Sequence, residues 1–314
     1  MKALIGWVRR RSVSDAGSKT CAWLYENREG FAIHADADAV PIPGNELPWR
    51  VKPIFELVLF LALARTWAVK DPYLVKLNAF AIAEIASFDW HELARFDPAA
   101  GAPLATLAEF CDASGVELPF DRDYLSSLSA LGFFDGMDRM PYREMELLHS
   151  NALLNGVDNG PQIAQAFALT SFSRGQLICR YSLDDVYSLT HALFYLTNFG
   201  EVPVGSHVGD EAVARVREHL IALVVIMLRI DNADILGELL ICWYFCRFHA
   251  QPTSATEQLV VSTATERFLA QMAQDGSVPP TWAIREKMNR GTAGFVDVYH
   301  TTLVAAILFH LIAK

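Results

Sequence analysis

Apolar residues along this chain recur at intervals of three and four, and strict two-residue alternation is rare. That period predicts helices over residues 53–69, 72–87, 104–114, 122–132, 141–155, 161–172, 184–198, 210–230, 233–249, 255–274 and 297–313. Proline-rich stretches over 35–50 and 96–103 predict loops. Residues 275–296 carry two prolines and three glycines around a short predicted helix at Thr281–Met288. No stretch reads as an interdomain linker, so the expectation is one all-α domain over residues 1–314.

The later helices alternate in character. Those starting near 141, 184, 233 and 297 are apolar on most faces, whereas those near 161, 210 and 255 carry a polar face, such as Glu211, Arg215 and Glu218. Enclosed helices alternating with half-exposed ones predict two layers, one inside the other. The longest apolar runs, Leu57–Ala64, Leu220–Leu228 and Leu303–Phe309, fall short of the roughly 20 residues a bilayer span needs. No transmembrane segment is therefore expected.

Composition narrows the classes. The chain has 314 residues, 52% of them hydrophobic, enough for a large core. A formal net charge of −10 excludes a phosphate-tracking nucleic-acid binder, whose footprint is basic. The first twelve residues do not read as a secretory signal, because the arginines follow the short apolar stretch. Five cysteines, odd in number and mostly in apolar contexts, point to a reducing cytoplasm.

Four enclosed helices carry one tag near their start: an acid, two mostly apolar residues, then a small or imidazole residue. The copies are Glu146-Leu147-Leu148-His149, Asp185-Val186-Tyr187-Ser188, Asp234-Ile235-Leu236-Gly237 and Asp297-Val298-Tyr299-His300. Asp71-Pro72-Tyr73-Leu74 is a weaker, earlier copy. The intervals of 39, 49 and 63 residues leave room for an outer helix between copies, the pattern of helical hairpins around an axis. An acid in a first turn caps free N–H groups, and that alone explains any single copy. Capping does not explain His149 and His300, which share a helix face with the acid three residues earlier.

The segment Gly291–Ile307, GTAGFVDVYHTTLVAAI, resembles the inner-helix segment of protein prenyltransferase β subunits. In that family an Asp-aromatic-Tyr-His-Thr run opens an inner helix and its histidine is a zinc ligand. The family is an α/α toroid, as are the class II terpene cyclases. The resemblance implies an α/α toroid, or a partial one, of about five or six hairpins, with His300 facing a central cavity. Val298 stands where the family run has its aromatic residue. The nearest match to the family's Asp-x-Cys ligand pair is Asp184-Asp185-Val186, with valine in place of cysteine. Ser182-Leu183-Asp184-Asp185 matches the cyclase Asp-x-Asp-Asp motif except at its first position.

Two other arrangements compete for these residues. Glu84, Glu146/His149, Glu238 and Asp297/His300 supply, in order, the ligands of a di-iron carboxylate bundle. Cys242, Cys246 and His249 share one helix face with zinc-ligand chemistry, although their apolar surroundings favour core packing. Nucleotide-binding glycine loops, the nucleophile elbow and the zincin motif are absent from the sequence.

The expected function is an enzyme of small-molecule or natural-product metabolism, cyclase or transferase in type, working by acid–base or metal-assisted chemistry at the inner-helix starts. The residues assigned to it are Glu146, His149, Asp185, Tyr187, His191, Asp297, Tyr299 and His300. Asp297, His300 and His149 are the candidate ligands of a divalent metal, zinc or, in the di-iron alternative, iron. The substrate expected is a small molecule, apolar in part. A non-catalytic helical-repeat scaffold, in which the tags are caps and nothing more, is the remaining alternative.

Overall fold

A computed structural model describes residues 2–33, 51–67, 69–90, 101–131 and 139–314. The loop predicted over 35–50 and most of that over 96–103 lie outside the described residues. The fold is all-α, with thirteen α-helices and no strand among the described residues. They are α1 (Lys2–Glu26), α2 (Lys52–Thr66), α3 (Pro72–Ser87), α4 (Gly101–Ser114), α5 (Arg122–Ala130), α6 (Pro141–Asn155) and α7 (Gly160–Ala168). After them come α8 (Leu183–Leu196), α9 (Asp210–Ile230), α10 (Ala233–Phe245), α11 (Ala255–Leu269), α12 (Trp282–Asn289) and α13 (Phe295–Ala313).

Local chemistry fixes many of the helix ends. Asp71 caps α3 by accepting from Tyr73 N at 2.8 Å, with Pro72 preset at the first helical position. Ser182 with Asp185 and Ser254 with Glu257 form reciprocal capping boxes on α8 and α11. Asn232 caps α10 through Ile235 N at 3.0 Å. Gly156, left-handed at φ 64°, ends α6.

The helix near 141 is not enclosed as expected, since only Tyr142, Met145 and Ser150 of it are buried, yet it takes its place in a chain of helix contacts. Helix α13 packs on α2, α2 on α4, α4 on α6, α6 on α8, α8 on α10, and α10 back on α13. These six contacts form a closed cycle. The intervening helices lie against its members: α1 on α13, α3 on α2, α5 on α6, α7 on α6 and α8, α9 and α11 on α10.

Helix α13 joins two apolar cores. Val298, Tyr299, Leu303 and Ala306 pack with α1 to α5, and Val304, Ala305, Leu308 and Phe309 pack with the helices from α6 onward. It is therefore apolar around most of its circumference. By length and composition alone it is the one described helix apolar enough to cross a membrane, and 56% of its apolar window is buried inside the protein. Each large aliphatic or aromatic side chain buried this way contributes roughly 1.5–3 kcal/mol.

Helix α1 is absent from the sequence reading. Its inward side chains, Val13, Ala16, Thr20, Trp23 and Leu24, do recur at helical spacing. Gly17 and the serines between them hide that stripe. Gly17 serves a close approach: a Cβ there would stand 3.2 Å from the ring of His310 on α13.

Candidate functional site

The polar assembly centred on His300 draws on four helices, α2, α8, α10 and α13. Asp234 and Glu238 lie one turn apart on α10, hence on one face. Gly237 between them lets that face approach α13, since a Cβ there would come within 2.6 Å of Val304 and 2.8 Å of Phe268. His300 stands in the second turn of α13, and Glu56 in the second turn of α2.

The geometry is specific. His300 Nδ1 lies 3.1 Å from Glu56 Oε2, and because a carboxylate accepts, Nδ1 donates. His300 Nε2 is thereby turned toward Glu238 Oε1 at 3.6 Å and Asp234 Oδ2 at 3.8 Å. The second oxygen of each α10 acid is held by a threonine. Thr301 Oγ1 donates to Asp234 Oδ1 at 2.7 Å, and Thr190 Oγ1, from α8, donates to Glu238 Oε2 at 2.6 Å. Glu56 sits 3.9 Å from Lys52 Nζ, and the phenol of Tyr299 also favours its charged form. The His300 side chain is 33% exposed, Asp234 25% and Glu238 3%.

These neighbours set the ionisation of the groups. Burial by itself pushes the His300 imidazolium to lose its proton, but the charges of Glu56 and Asp234 and the bond to Glu238 outweigh it and hold the pKa well above the ordinary value. Burial pushes Asp234 up, and the Glu238 charge adds to it against the pull of His300. Burial also opposes the charge on Glu238 and Glu56, yet their histidine partners keep both below the usual carboxylate value.

His191 and Tyr187 border this assembly from α8. His191 Nδ1 donates to Tyr187 O at 3.0 Å and stands 3.9 Å from Glu238 Oε2. The two rings lie 3.9 Å apart, tilted by 34°, with Tyr142 edge-on to both. Burial, then the Glu238 charge, raises the Tyr187 phenol far above its usual pKa. Arg143 on α6 acts on the same phenol in the opposite sense.

The Glu146/His149 tag builds a second, separate assembly between α6 and α8. Arg143 Nη1 pairs with Glu146 Oε2 at 2.8 Å, and Tyr195 Oη donates to Glu146 Oε1 at 3.1 Å. His149 Nε2 meets Asn198 Oδ1 at 2.8 Å, with the Tyr195 and Phe199 rings about it. Burial lowers the His149 pKa, with Asn198 and Glu146 opposing in part.

Several sequence expectations are corrected here. Asp185 and Asp297 are caps: Asp185 closes the box with Ser182, and Asp297 accepts from Gly294 N at 2.8 Å and pairs with Lys287. Asp297 is therefore not beside His300 as a ligand, because its carboxylate turns back to the helix start. His149 is bound to Asn198 in the other assembly and is no partner of His300. The di-iron set does not gather either. Glu84 accepts from Ile33 N at 2.9 Å, and of the proposed ligands only Glu238 and His300 meet. Cys242 and Cys246 are wholly buried, while His249 is exposed beyond the end of α10, so that face forms no ligand set.

The family model described as a domain of unknown function, DUF6895, matches residues 17–310. The chain belongs to that family. No curated protein and no solved structure matches it. The match runs from within α1 to within α13, so in this DUF6895 chain it spans both polar assemblies.

The site assigned from sequence lacks Glu56, Asp234, Glu238 and Thr301: Asp234 was seen only as a tag acid and Glu238 only in the di-iron set. Glu56 had a signal: it is a lone acid directly before the eight-residue apolar run Leu57–Ala64. A charge in an otherwise enclosed helix needs a partner. Thr190 forms a polar cluster with Tyr187 and His191 in the sequence, whereas Thr301 had no signal beyond its place directly after His300.

Proposed function

We propose that this chain is an enzyme of small-molecule metabolism whose reacting centre is the assembly around His300. One observation carries the reading: a half-exposed imidazole is met by three carboxylates from two neighbouring helices. A histidine placed for packing is satisfied by one or two acceptors, often backbone carbonyls, as His310 is by Ala306 O at 2.6 Å. Three acids around one imidazole exceed that need and bring surplus negative charge into a poorly solvated place. Such surpluses mark functional sites more often than structural ones.

The closed cycle of helix contacts supports an α/α toroid of six hairpins, with the reacting groups in the first two turns of its inner helices. In that frame the carboxylates and His300 exchange protons with the substrate or hold a positively charged part of it. Tyr187, kept protonated by burial, donates a hydrogen bond to negative charge as it develops. Tyr299 acts through Glu56 as a positioning residue. The rings of Tyr142, Tyr187 and Phe194 around His191 give a substrate surface that is apolar in part. A cyclase- or transferase-type reaction fits this pairing of apolar wall and polar centre.

The test is Asp234→Asn in chelator-treated protein. Asparagine keeps the oxygen that Thr301 bonds and removes one of the crowded charges. The melting temperature is expected to hold or to rise by a few degrees, because function keeps a destabilised site that this change relaxes. A fall of several degrees would assign the acids to fold stability and leave the scaffold alternative.

A further inference from the structure

The three donor atoms that face one another at the centre of this assembly are those without a hydrogen bond to backbone or hydroxyl. His300 Nε2 lies 3.6 Å from Glu238 Oε1 and 3.8 Å from Asp234 Oδ2, and one ligand atom from each of the three side chains lies within 4.8 Å of the others. The opposite atom of each side chain is committed. Glu56 takes the proton of His300 Nδ1, Thr301 holds Asp234 Oδ1, and Thr190 holds Glu238 Oε2. Each side chain is thus fixed from behind with its remaining atom turned to a shared point, where a cation would displace the proton of His300 Nε2.

Resting on the enzyme reading above, we infer that Asp234, Glu238 and His300 bind one first-row divalent cation. Glu56, Thr190 and Thr301 orient the ligands.

Four observations support the assignment. A metal-bound histidine characteristically gives its other N–H to a carboxylate, which fixes the tautomer and strengthens the donor nitrogen, and Glu56 is so placed. Threonine hydroxyls on the non-ligating oxygens set the orientation of the two acids in the same way. Metal–ligand bonds of about 2.1 Å place neighbouring donors ~3 Å apart. Atoms that begin within 4.8 Å close on an ion by side-chain torsion. Finally, two carboxylates and a neutral imidazole balance the charge of one divalent ion.

The ligand set also selects the class of ion. One imidazole with two carboxylates suits manganese, iron, cobalt or zinc, whereas magnesium and calcium prefer oxygen alone. Three protein donors leave positions open for water or for an oxygen of the substrate. The bound ion would supply a Lewis acid and a water of lowered pKa. With Nε2 bound to the ion, His300 becomes a ligand, and proton transfer falls to that water and to the surrounding acids. The set is distinct from the Asp297, His300 and His149 ligands expected from the sequence, sharing His300 with it.

Chelator-treated protein titrated with cobalt(II) and zinc(II) tests this, by calorimetry and by the visible absorption of cobalt. One ion per chain is expected, retained in millimolar magnesium. Asp234→Asn, Glu238→Gln and His300→Ala should each weaken binding at least tenfold with unchanged helical circular dichroism. Thr301→Val, which leaves all three ligands in place, should weaken it about 10-fold or more. The assignment is overturned if the wild-type chain binds no cobalt or zinc at micromolar concentrations. It is equally overturned if magnesium displaces the ion, or if Asp234→Asn and His300→Ala bind as the wild type does. A wild-type chain that binds no ion while Asp234→Asn melts at or above it removes the cation and leaves the enzyme reading standing.

Discussion

His149 and His300 enter the sequence in the same way, three residues after an acid near the start of an enclosed helix, and the structure treats them oppositely. Around His149 the charges close. Glu146 is matched by Arg143 and bonded by Tyr195, while the imidazole faces a neutral amide and aromatic rings. Around His300 the acids outnumber the cations, and the acid of its own tag has turned away to cap the helix. A local motif thus fixes which groups share a face. Their chemistry depends on what the neighbouring helices bring, and α10 and α2 bring three carboxylates to His300.

The largest effect expected on this comparison comes from the residue that allows α10 to bring them. In Gly237→Ala the new Cβ meets Val304 Cγ1 at 2.6 Å and the Phe268 ring at 2.8 Å, and these are packed core atoms. Overpacking of this kind costs about 1–3 kcal/mol. Denaturant titration should register that loss. Because the clash drives α10 off α13, the same variant should also lose the coupling between Asp234 and His300. A double-mutant cycle with Asp234→Asn and His300→Ala should show an interaction energy in the wild-type background and little in Gly237→Ala. Full coupling in both backgrounds would mean that α10 stays in place.

Next comes the direct contrast. His149→Ala removes a ring packed against Tyr195 and Phe199 and leaves Asn198 Oδ1 without its donor. A loss of ~1–3 kcal/mol is expected. His300→Ala in chelator-treated protein removes a side chain that is 33% exposed and should shift the melting temperature by only a few degrees. Equal losses at the two positions would abolish the distinction between a structural and a functional histidine.

How much of this was legible in sequence follows from the same residues. Helix positions were legible because core burial imposes the period, and the expected enclosure holds for α10 and α13 but not for α6, where only Tyr142, Met145 and Ser150 are buried. The tags at 146, 185, 234 and 297 were legible as a repeat, but their roles were not. A first-turn acid has its own helix N–H groups within reach, and whether it uses them depends on a partner up to hundreds of residues away. Asp234 is released from that task because Asn232 caps α10 in its stead, through Ile235 N. Asp297 has only Gly294 at the cap position, with no side chain to take over, and does the capping itself. Glu56 and His300, 244 residues apart, meet only in three dimensions.

A smaller effect separates Glu146, the acid of the His149 assembly, from the acids of the His300 assembly. Tyr195→Phe removes one hydrogen bond to Glu146 and leaves the Arg143 ion pair. A loss of ~1 kcal/mol is expected, typical of one such bond. If Glu146 were instead as poorly compensated as Asp234, its loss of a donor would cost noticeably more. Denaturant midpoints at constant slope decide between these values.

The smallest expected effect is a pH slope, and its sign follows from the His149 environment. Burial lowers the His149 pKa in the folded chain, and neither Asn198 nor Glu146 restores it, with Arg143 and Tyr195 being the other titratable groups about the tag. In the unfolded chain the same imidazole takes its proton near the ordinary value of about 6.5. Below that pH the unfolded state binds a proton that the folded state refuses. Stability contributed by neutral His149 is therefore whole above about pH 7 and is lost as pH falls through 6.5 toward the folded pKa. The slope cannot exceed about 1.4 kcal/mol per pH unit for one proton. His219, His249 and His310 are lowered for the same reason, so the wild-type curve alone does not isolate the effect. The difference between wild type and His149→Gln does, because those three titrate in both proteins and glutamine keeps a polar group near Asn198. The destabilisation of His149→Gln should shrink as pH falls from 7 to 5. A difference that stays constant over that range would mean that His149 titrates alike in the folded and unfolded chains, and the contrast between the two histidines would then rest on packing alone.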